Sequence, residues 1–209
     1  RSVREMAIKH LNARAGQFID KWTDKAATDL AAIVESNVLV YNQQMKQAVR
    51  SELSQGVVAN RSGKEMARRL REKTKDLAKD WNRVVTTELA EAQNMGALDA
   101  IIENSKGKAQ TEIYVYKSGV ADSKRCKICT ELWTVDGITP KVYKLSELLA
   151  NGSNMGRKQK EWKATAGTTH PNCRDYLMEI PESWGFKGGK LSFIGKNHNE
   201  YKKQKSNRE

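Results

Sequence analysis

The 209-residue chain carries 37 lysine and arginine residues against 25 aspartate and glutamate residues, which gives a formal net charge of +12 and a pI of about 9.6. Hydrophobic residues make up only 38% of the chain, and no apolar run is long enough for a helix that crosses a membrane. The excess of cations suits a polyanionic partner, either nucleic acid or an acidic protein surface, unless the cations only solvate helix faces. The chain begins at Arg1 with no recognisable signal peptide, and we expect a segment to precede it.

Residues 1–105 contain no proline, and their apolar residues recur at the three- and four-residue spacing of amphipathic helices. We therefore predict a helical domain over 1–105 with about four helices. The first apolar run continues through Phe18 and Trp22 to Val34. The second covers 39–53 and ends near Gly56, a residue that suits the left-handed cap at a helix C-terminus.

Two more helices are predicted in the same domain. Ser62 and Glu65 have the spacing of a capping box, in which each side chain accepts the other residue's backbone N–H. The helix that they begin has a basic outer face, formed by Arg68, Arg69, Arg71, Lys73 and Lys75. The last helix is predicted from Trp81 to Asn104, with an apolar stripe of Val85, Leu89, Ala92, Leu98, Ile101 and Ile102.

The pattern changes after residue 105, and residues 106–183 are predicted to form a small β module. The predicted elements are a strand over 111–117, a hairpin over 132–139 that turns at Asp136-Gly137, a short helix over 146–150 and a strand over 175–180. Residues 184–209 carry seven cations against two glutamates and contain four glycines, which predicts a flexible basic tail. The fold class is therefore α+β, mainly α: an N-terminal helical layer, a small β-hairpin module and a basic tail.

The three cysteines of the chain all lie in two short motifs, the C-x-x-C of Cys126 and Cys129 and the H-x-x-C of His170 and Cys173. A two-residue gap lets both side chains of each motif face one ion, and three sulfurs with one nitrogen complete a tetrahedral zinc site. We predict that these four residues bind a structural Zn²⁺ that staples the β module, since a module of this size buries little apolar surface. Four protein ligands leave no open position for the water of a catalytic zinc.

Other roles for these cysteines fit the sequence less well. A disulfide would leave one cysteine unpaired, and a redox C-x-x-C normally begins a helix, whereas a hairpin pattern follows here. A zinc deaminase needs H-x-E and P-C-x-x-C, but Arg125 precedes Cys126 and no histidine is followed by x-Glu. Isolated buried cysteines and a structural histidine remain the alternative to a metal site. No catalytic residues are predicted.

Three segments of the chain carry a family resemblance. They are Thr86-Thr87-Glu88-Leu89-Ala90-Glu91-Ala92-Gln93-Asn94-Met95-Gly96, then Asp122-Ser123-Lys124-Arg125-Cys126-Lys127-Ile128-Cys129, and last His170-Pro171-Asn172-Cys173-Arg174. In this order they resemble the phage Mu F-like family of minor head proteins, also called head morphogenesis proteins, over about residues 60–181. The chain departs from the family pattern at Asp175, where the family often has a cysteine, and in a slightly longer segment before Gly137.

The resemblance implies a minor head protein of a tailed bacteriophage, which acts in head assembly and in DNA packaging or delivery. The implied partners are portal or capsid proteins and packaged DNA, the latter through phosphate contacts. The implied location is the head interior or portal vertex of the virion, and the host cytoplasm during assembly. The alternative is a zinc-supported nucleic-acid-binding protein or a nuclease or effector. Glu88 is expected to be a buried polar contact between helix and zinc module, because a single carboxylate lacks the partner that acid–base catalysis needs.

Overall fold

The computed structural model describes residues 2–16, 33–77, 79–105, 107–119, 125–181, 183–187 and 190–194, with the backbone alone for 33–40. The predicted helical run through Phe18 and Trp22 lies outside the described residues, as does the basic tail beyond residue 194.

The N-terminal half contains four described helices: α1 (Val3–Arg14), α2 (Ile33–Val58), α3 (Gly63–Thr74) and α4 (Trp81–Asn104). The predicted bounds of the last helix are confirmed. A first hydrophobic core forms where their apolar stripes meet, and it includes Leu11, Val49, Leu53, Leu70 and Trp81. In such amphipathic helices packing of the apolar face supplies most of the stability, because isolated helices of this length are marginal in water.

Helix α1 packs directly on α4 at Gly96. A Cβ atom at Gly96 would lie 2.6 Å from the backbone nitrogen of Ala7 and 2.8 Å from the carbonyl oxygen of Val3. Both neighbours are backbone atoms of α1, so they cannot rotate away as a side chain would. Glycine is therefore required here by the close approach of two helices rather than by a turn.

The helix ends close to Gly56, as predicted, but the prediction that Gly56 is its left-handed cap is wrong. Helix α2 continues to Val58, and Gly56 lies inside it, where a Cβ would come 2.1 Å from the sulfur of Met66. The left-handed residue after the helix is Asn60, with φ of 54°. Gly56 thus provides space for α3, and the chain reverses a few residues later.

The Ser62 half of the predicted capping box is confirmed, since its hydroxyl accepts the backbone N–H of Glu65 at 3.2 Å. The Glu65 carboxylate accepts a hydrogen bond from Arg69 at 3.2 Å. Beneath this face the side chain of Glu52 is fully buried and meets Arg61 at 3.0 Å and Lys73 at 2.6 Å. The basic face predicted on this helix is therefore partly neutralised by carboxylates of the chain itself.

The C-terminal half is built on a small antiparallel sheet of order β2–β1–β3, formed by β1 (Tyr114–Ser118), β2 (Tyr143–Lys144) and β3 (Tyr176–Glu179). Strand β1 is central and pairs Tyr116 with Met178. A second hydrophobic core joins this sheet to the C-terminal half of α4, whose contributing residues are Ala97, Leu98 and Ile101. Helix α4 thus belongs to both cores, and the predicted α+β, mainly α, class is confirmed.

The predicted hairpin over 132–139 is wrong for residues 132 and 133. Residues Lys127–Trp133 form a helix, α5, and the chain turns only afterwards, with an isolated antiparallel bridge between Thr134 and Pro140. The turn does use Asp136, whose carboxylate accepts the backbone N–H groups of Ile138 and Thr139. Gly137 has φ of 89°, as expected for the glycine of an Asp-Gly turn.

The long connection between β2 and β3 is ordered in part by the buried Asn154. Helix α6 (Leu145–Asn151) and a 3₁₀ turn (Gln159–Glu161) are its regular elements. The buried side chain of Asn154 donates to the carbonyl oxygens of Lys163 and Thr169 and accepts the backbone N–H of Lys163. This amide replaces the backbone hydrogen bonds that an irregular segment lacks.

The prediction of a flexible tail from residue 184 is wrong for its first part. Strands β4 (Trp184–Lys187) and β5 (Lys190–Phe193) pair antiparallel, and the Phe186 ring contacts that of Tyr116 at a centroid distance of 4.9 Å. Within the described ranges, no helix is both long and apolar enough to span a bilayer.

Candidate metal centre

The C-x-x-C motif begins helix α5. Cys126 is its N-cap residue, with φ of −71° and ψ of 147°, and its sulfur accepts the backbone N–H of Cys129 at 3.2 Å. Cys129 lies one turn later and is buried. The C-x-x-C therefore does begin a helix. The sequence analysis argued against a redox motif because it expected a hairpin after Cys129, and that reason is wrong. The evidence against a redox motif is instead that His170 and Cys173 lie beside the two cysteines.

The H-x-x-C motif is a tight turn that faces the first motif. The backbone N–H of Cys173 bonds to the carbonyl of His170 at 3.1 Å, and Asn172 has the left-handed φ of 61°. The His170 Nε2 atom lies 3.1 Å from the Cys126 sulfur and 3.0 Å from the Cys129 sulfur. The sulfurs of Cys129 and Cys173 are 4.0 Å apart.

These distances are close to those of a metal site. Zinc–sulfur bonds of ~2.3 Å and zinc–nitrogen bonds of ~2.0 Å in a tetrahedron place neighbouring ligand atoms roughly 3.5–3.8 Å apart. The four side chains were predicted from sequence spacing, and the structure brings them together from two segments about 40 residues apart. They form two groups that share Cys129: Cys126, Cys129 and His170 in one, and Cys129, Cys173 and Asp175 in the other. They lie close together and could bind a metal ion.

The ring of His170 is held with Nε2 towards the cysteines. Its Nδ1 atom lies 2.7 Å from the carbonyl oxygen of Pro171. A carbonyl can only accept, so Nδ1 carries the hydrogen and Nε2 presents a lone pair to a metal ion. The indole of Trp162 stacks on the imidazole at a centroid distance of 5.6 Å and covers one side of it.

Asp175 is a further possible metal ligand beside the three cysteines, and the sequence analysis did not predict it as one. Its carboxylate groups with the sulfurs of Cys129 and Cys173, and it pairs with Arg125 at 3.2 Å. Burial and the neighbouring charge of Cys173 raise the pKa of Asp175, and Arg125 opposes this. The only signal in the sequence was its position two residues after Cys173, where the resembling family often has another potential ligand.

Lys117 is a buried cation beside the same sulfurs. It points inward from β1, its ammonium donates to the carbonyl oxygen of Gly167, and it lies 4.7 Å from the centre of the Trp133 ring. Burial lowers the pKa of Lys117, and the neighbouring Cys173 opposes this. A lysine within a strand gave no sequence signal for this position.

The sulfurs of Cys129 and Cys173 are inequivalent. The hydrogen bond from Cys129 lowers the pKa of Cys173, and the Lys117 ammonium lowers it further. The same hydrogen bond, together with burial, raises the pKa of Cys129. Cys173 is therefore the better thiolate of the pair, and Lys117 provides the positive charge that favours thiolate ligands.

One face of α4 holds the H-x-x-C segment in place. Thr87 accepts the backbone N–H of Asn172 at 3.1 Å, and Glu91 accepts the N–H and hydroxyl of Thr168 at 2.6 and 2.8 Å. Asn94 donates to the carbonyl of Asp175 at 3.1 Å and accepts the N–H of Leu177 at 2.7 Å. Their spacing of four and then three residues puts all three side chains on one helical face.

The partner of Glu88 that the structure gives lies in the N-terminal half of the chain. Glu88 is buried, as predicted, but its carboxylate accepts the backbone N–H of Gly16 at 2.8 Å, at the end of α1. The contacts between helix and cysteine module are made by the other face of α4. Both faces come from one short motif, residues 86–96, so α4 connects the N-terminal helices to the metal centre.

A scan against protein-family models, a search of curated proteins and a search of solved structures each found no match to this chain. The resemblance to the phage Mu F-like family therefore stays a prediction.

Proposed function

We propose that the chain is a non-enzymatic assembly protein of a tailed-bacteriophage head, in which a structural Zn²⁺ fixes the C-terminal module to the helical layer. The observation that carries the proposal is the meeting of Cys126, Cys129, His170 and Cys173, contributed by two segments that α4 and its side chains hold together.

The donor set favours zinc among the common metals. Three cysteine sulfurs and one imidazole nitrogen are soft or borderline donors, whereas calcium and magnesium prefer oxygen. Three thiolates and a neutral histidine around Zn²⁺ carry a net charge of about −1. Lys117 lies close enough to Cys173 to compensate it, while Arg125 pairs with the neighbouring carboxylate of Asp175.

A structural role follows from the number and the burial of the ligands. Four protein donors complete the tetrahedron and leave no position for a reactive water. Cys129 and Cys173 are buried, and Trp162 covers His170. Bound zinc would therefore add to folding stability, because the two motifs close a loop whose ordering costs entropy.

The assembly role is supported by the arrangement of the segments that carry the resemblance. The helical segment with Thr87 and Asn94 contacts Asn172 and Leu177, which lie in or just after the H-x-x-C motif. The similarity is thus spread over one connected structural unit rather than over isolated short motifs. The positive net charge of +12 fits portal or capsid surfaces of acidic character and packaged DNA contacted through its phosphates.

Metal analysis of freshly purified protein tests the zinc site. We expect about one Zn²⁺ per chain and its loss in Cys173→Ser, because removing one of four ligands opens the site. Gln93→Ala, an exposed substitution on α4 outside the groups of possible ligands, is the control and should keep its zinc. Zinc well below one equivalent that Cys173→Ser leaves unchanged would contradict the proposal.

Cross-linking and mass spectrometry of purified phage particles test the assembly role. The expected result is that this chain cross-links to portal or capsid proteins within the head. Its absence from particles would refute that role. DNA cleavage that Glu88→Ala abolishes would instead support the nuclease alternative, although Glu88 is buried and bonded to Gly16.

A further inference from the structure

A cavity borders His170 and is lined by none of the three cysteines. It is formed between the first turn of α4 and residues 153–157, with Trp162 and Pro171 completing its wall. We call it the arginine cleft, after Arg83 and Arg157, which both line it. Its volume is about 290 Å³, enough for one backbone phosphate with its sugar.

The arginine cleft is strongly basic. Among the described residues, those that line it include two arginines and no aspartate or glutamate. Glu91, the carboxylate bonded to the cleft residue Thr168, has its Oε2 atom occupied by the N–H and hydroxyl of that threonine. One edge continues into residues 157–163, an exposed loop with four cations and one glutamate around Trp162. A site of this charge attracts anions.

Arg157 is the residue that indicates a bound anion. Its Nη2 atom donates to the carbonyl of Asn151 at 2.8 Å, and its own carbonyl accepts the indole N–H of Trp162 at 3.2 Å. The Nη1 atom of the same guanidinium is buried and has no hydrogen-bond partner among the described residues. An unpaired buried N–H costs free energy, and a charged donor costs more, so a rotation of this guanidinium that lets Nη1 meet an anion in the cleft would be favourable.

We propose that the arginine cleft binds a phosphate group of a nucleic-acid strand. Guanidinium groups match phosphate oxygens with paired hydrogen bonds, and the adjacent indole of Trp162 offers a surface for a sugar or base. Such contacts position a strand without reading its sequence. The inference rests on the proposed function for the identity of the strand as packaged DNA, and it assigns the contact to this cleft rather than to the partly neutralised face of α3.

Fluorescence anisotropy of a labelled short oligothymidylate without a 5′-phosphate, titrated with the full zinc-loaded chain, tests the proposal. We expect Arg83→Gln and Arg157→Gln each to weaken binding about tenfold and to lower the slope of log K against log salt by about one. Arg68→Gln is the control: it removes the same charge from an exposed residue of α3 paired with Glu72. It should change binding about twofold or less, as expected from general screening alone.

Zinc content and circular dichroism of every variant separate lost binding from lost folding. Where Arg157→Gln fails to fold, Arg83→Gln and Arg157→Lys decide the question, because Arg157→Lys keeps the charge and removes the paired geometry. Equal effects of all substitutions, Arg68→Gln included, would overturn the proposal. So would unchanged binding in Arg83→Gln and Arg157→Gln.

Competition with inorganic phosphate distinguishes the two sources of the anion. A site for a strand releases the oligonucleotide only at phosphate concentrations far above the oligonucleotide's own phosphate concentration. If inorganic phosphate displaced the oligonucleotide at an equal phosphate concentration and also bound tightly by itself, the ligand of the cleft would be a free phosphate ion. That result would overturn the proposal. The virion role is tested separately by the composition of purified particles. If the chain is present in particles and carries its full zinc but does not bind the oligonucleotide, only the inference about the arginine cleft is refuted.

Discussion

Asn94 offers the sharpest test of how α4 holds the metal centre. Its side chain is fully buried and bonds to both the carbonyl of Asp175 and the N–H of Leu177, which are buried as well. Asn94→Ala would leave both backbone groups without a partner. Each such group costs ~1–3 kcal/mol, so we expect the free energy of unfolding to fall by about 3 kcal/mol.

The assay is thermal unfolding followed by circular dichroism with zinc present, combined with the rate of zinc transfer to a chelator. For a chain of this size a loss of 3 kcal/mol lowers the melting temperature by roughly 6–12 °C. Zinc release should also become faster, because the two bonds hold the segment directly after Cys173. Gln93→Ala, an exposed neighbour on the same helix, should stay within about 0.5 kcal/mol of the unsubstituted chain.

Asn94→Asp adds a pH dependence with a definite sign. A carboxylate at this position would face the carbonyl oxygens of Asp175 and Ala90, which the amide of Asn94 now satisfies. Burial and these oxygens would raise the pKa of the new carboxyl in the folded state, so the penalty is present above that pKa and relieved below it. Asn94→Asp should therefore gain stability relative to Asn94→Ala as the pH falls. Equal melting temperatures for Asn94→Ala and Gln93→Ala would refute the reasoning.

Four further predictions concern other parts of the chain. Gly96→Ala should destabilise by about 1–3 kcal/mol in urea unfolding, because its Cβ meets the backbone of α1, whereas Gly63→Ala, with no neighbour nearer than 3.8 Å, should be neutral or slightly stabilising. Glu52→Gln should cost about 1–2 kcal/mol, less than for a fully buried pair since Arg61 and Lys73 remain partly in water; an unchanged denaturation midpoint would contradict this. Hydrogen bonds from Thr139 and Ile138 lower the pKa of Asp136 in the folded chain. The native chain should therefore be more stable than Asp136→Asn above pH 3.8, the ordinary pKa of the group, and should lose this advantage as the pH falls through the lower pKa of the folded state. Melting curves of the two chains at several pH values would reveal the difference. Removal of zinc by a chelator should lower the melting temperature, and more readily at lower pH because protons compete for thiolate ligands; identical curves with and without metal would count against a structural ion.

The helices and the four metal-ligand candidates could be predicted from sequence because both depend on local spacing. Helix α4 has one periodic apolar stripe and begins and ends where the pattern predicts. The two cysteine–histidine motifs each need only a short turn to present paired ligands. Residues 132 and 133 were assigned wrongly, since a β-forming residue such as Trp133 also fits a short helix when Cys126 caps it and the indole is buried.

The sequence by itself thus determined the helical layer, the mainly α class and which side chains could bind a metal ion. The tertiary structure alone decided their surroundings: the acid of Asp175, the buried ammonium of Lys117, the cover of Trp162 and the attachment of Glu88 to Gly16. These contacts join residues far apart in the chain, and no local periodicity records which distant groups meet. The energy of a buried charge or unpaired amide depends on those distant neighbours, so it becomes readable only after the chain has folded.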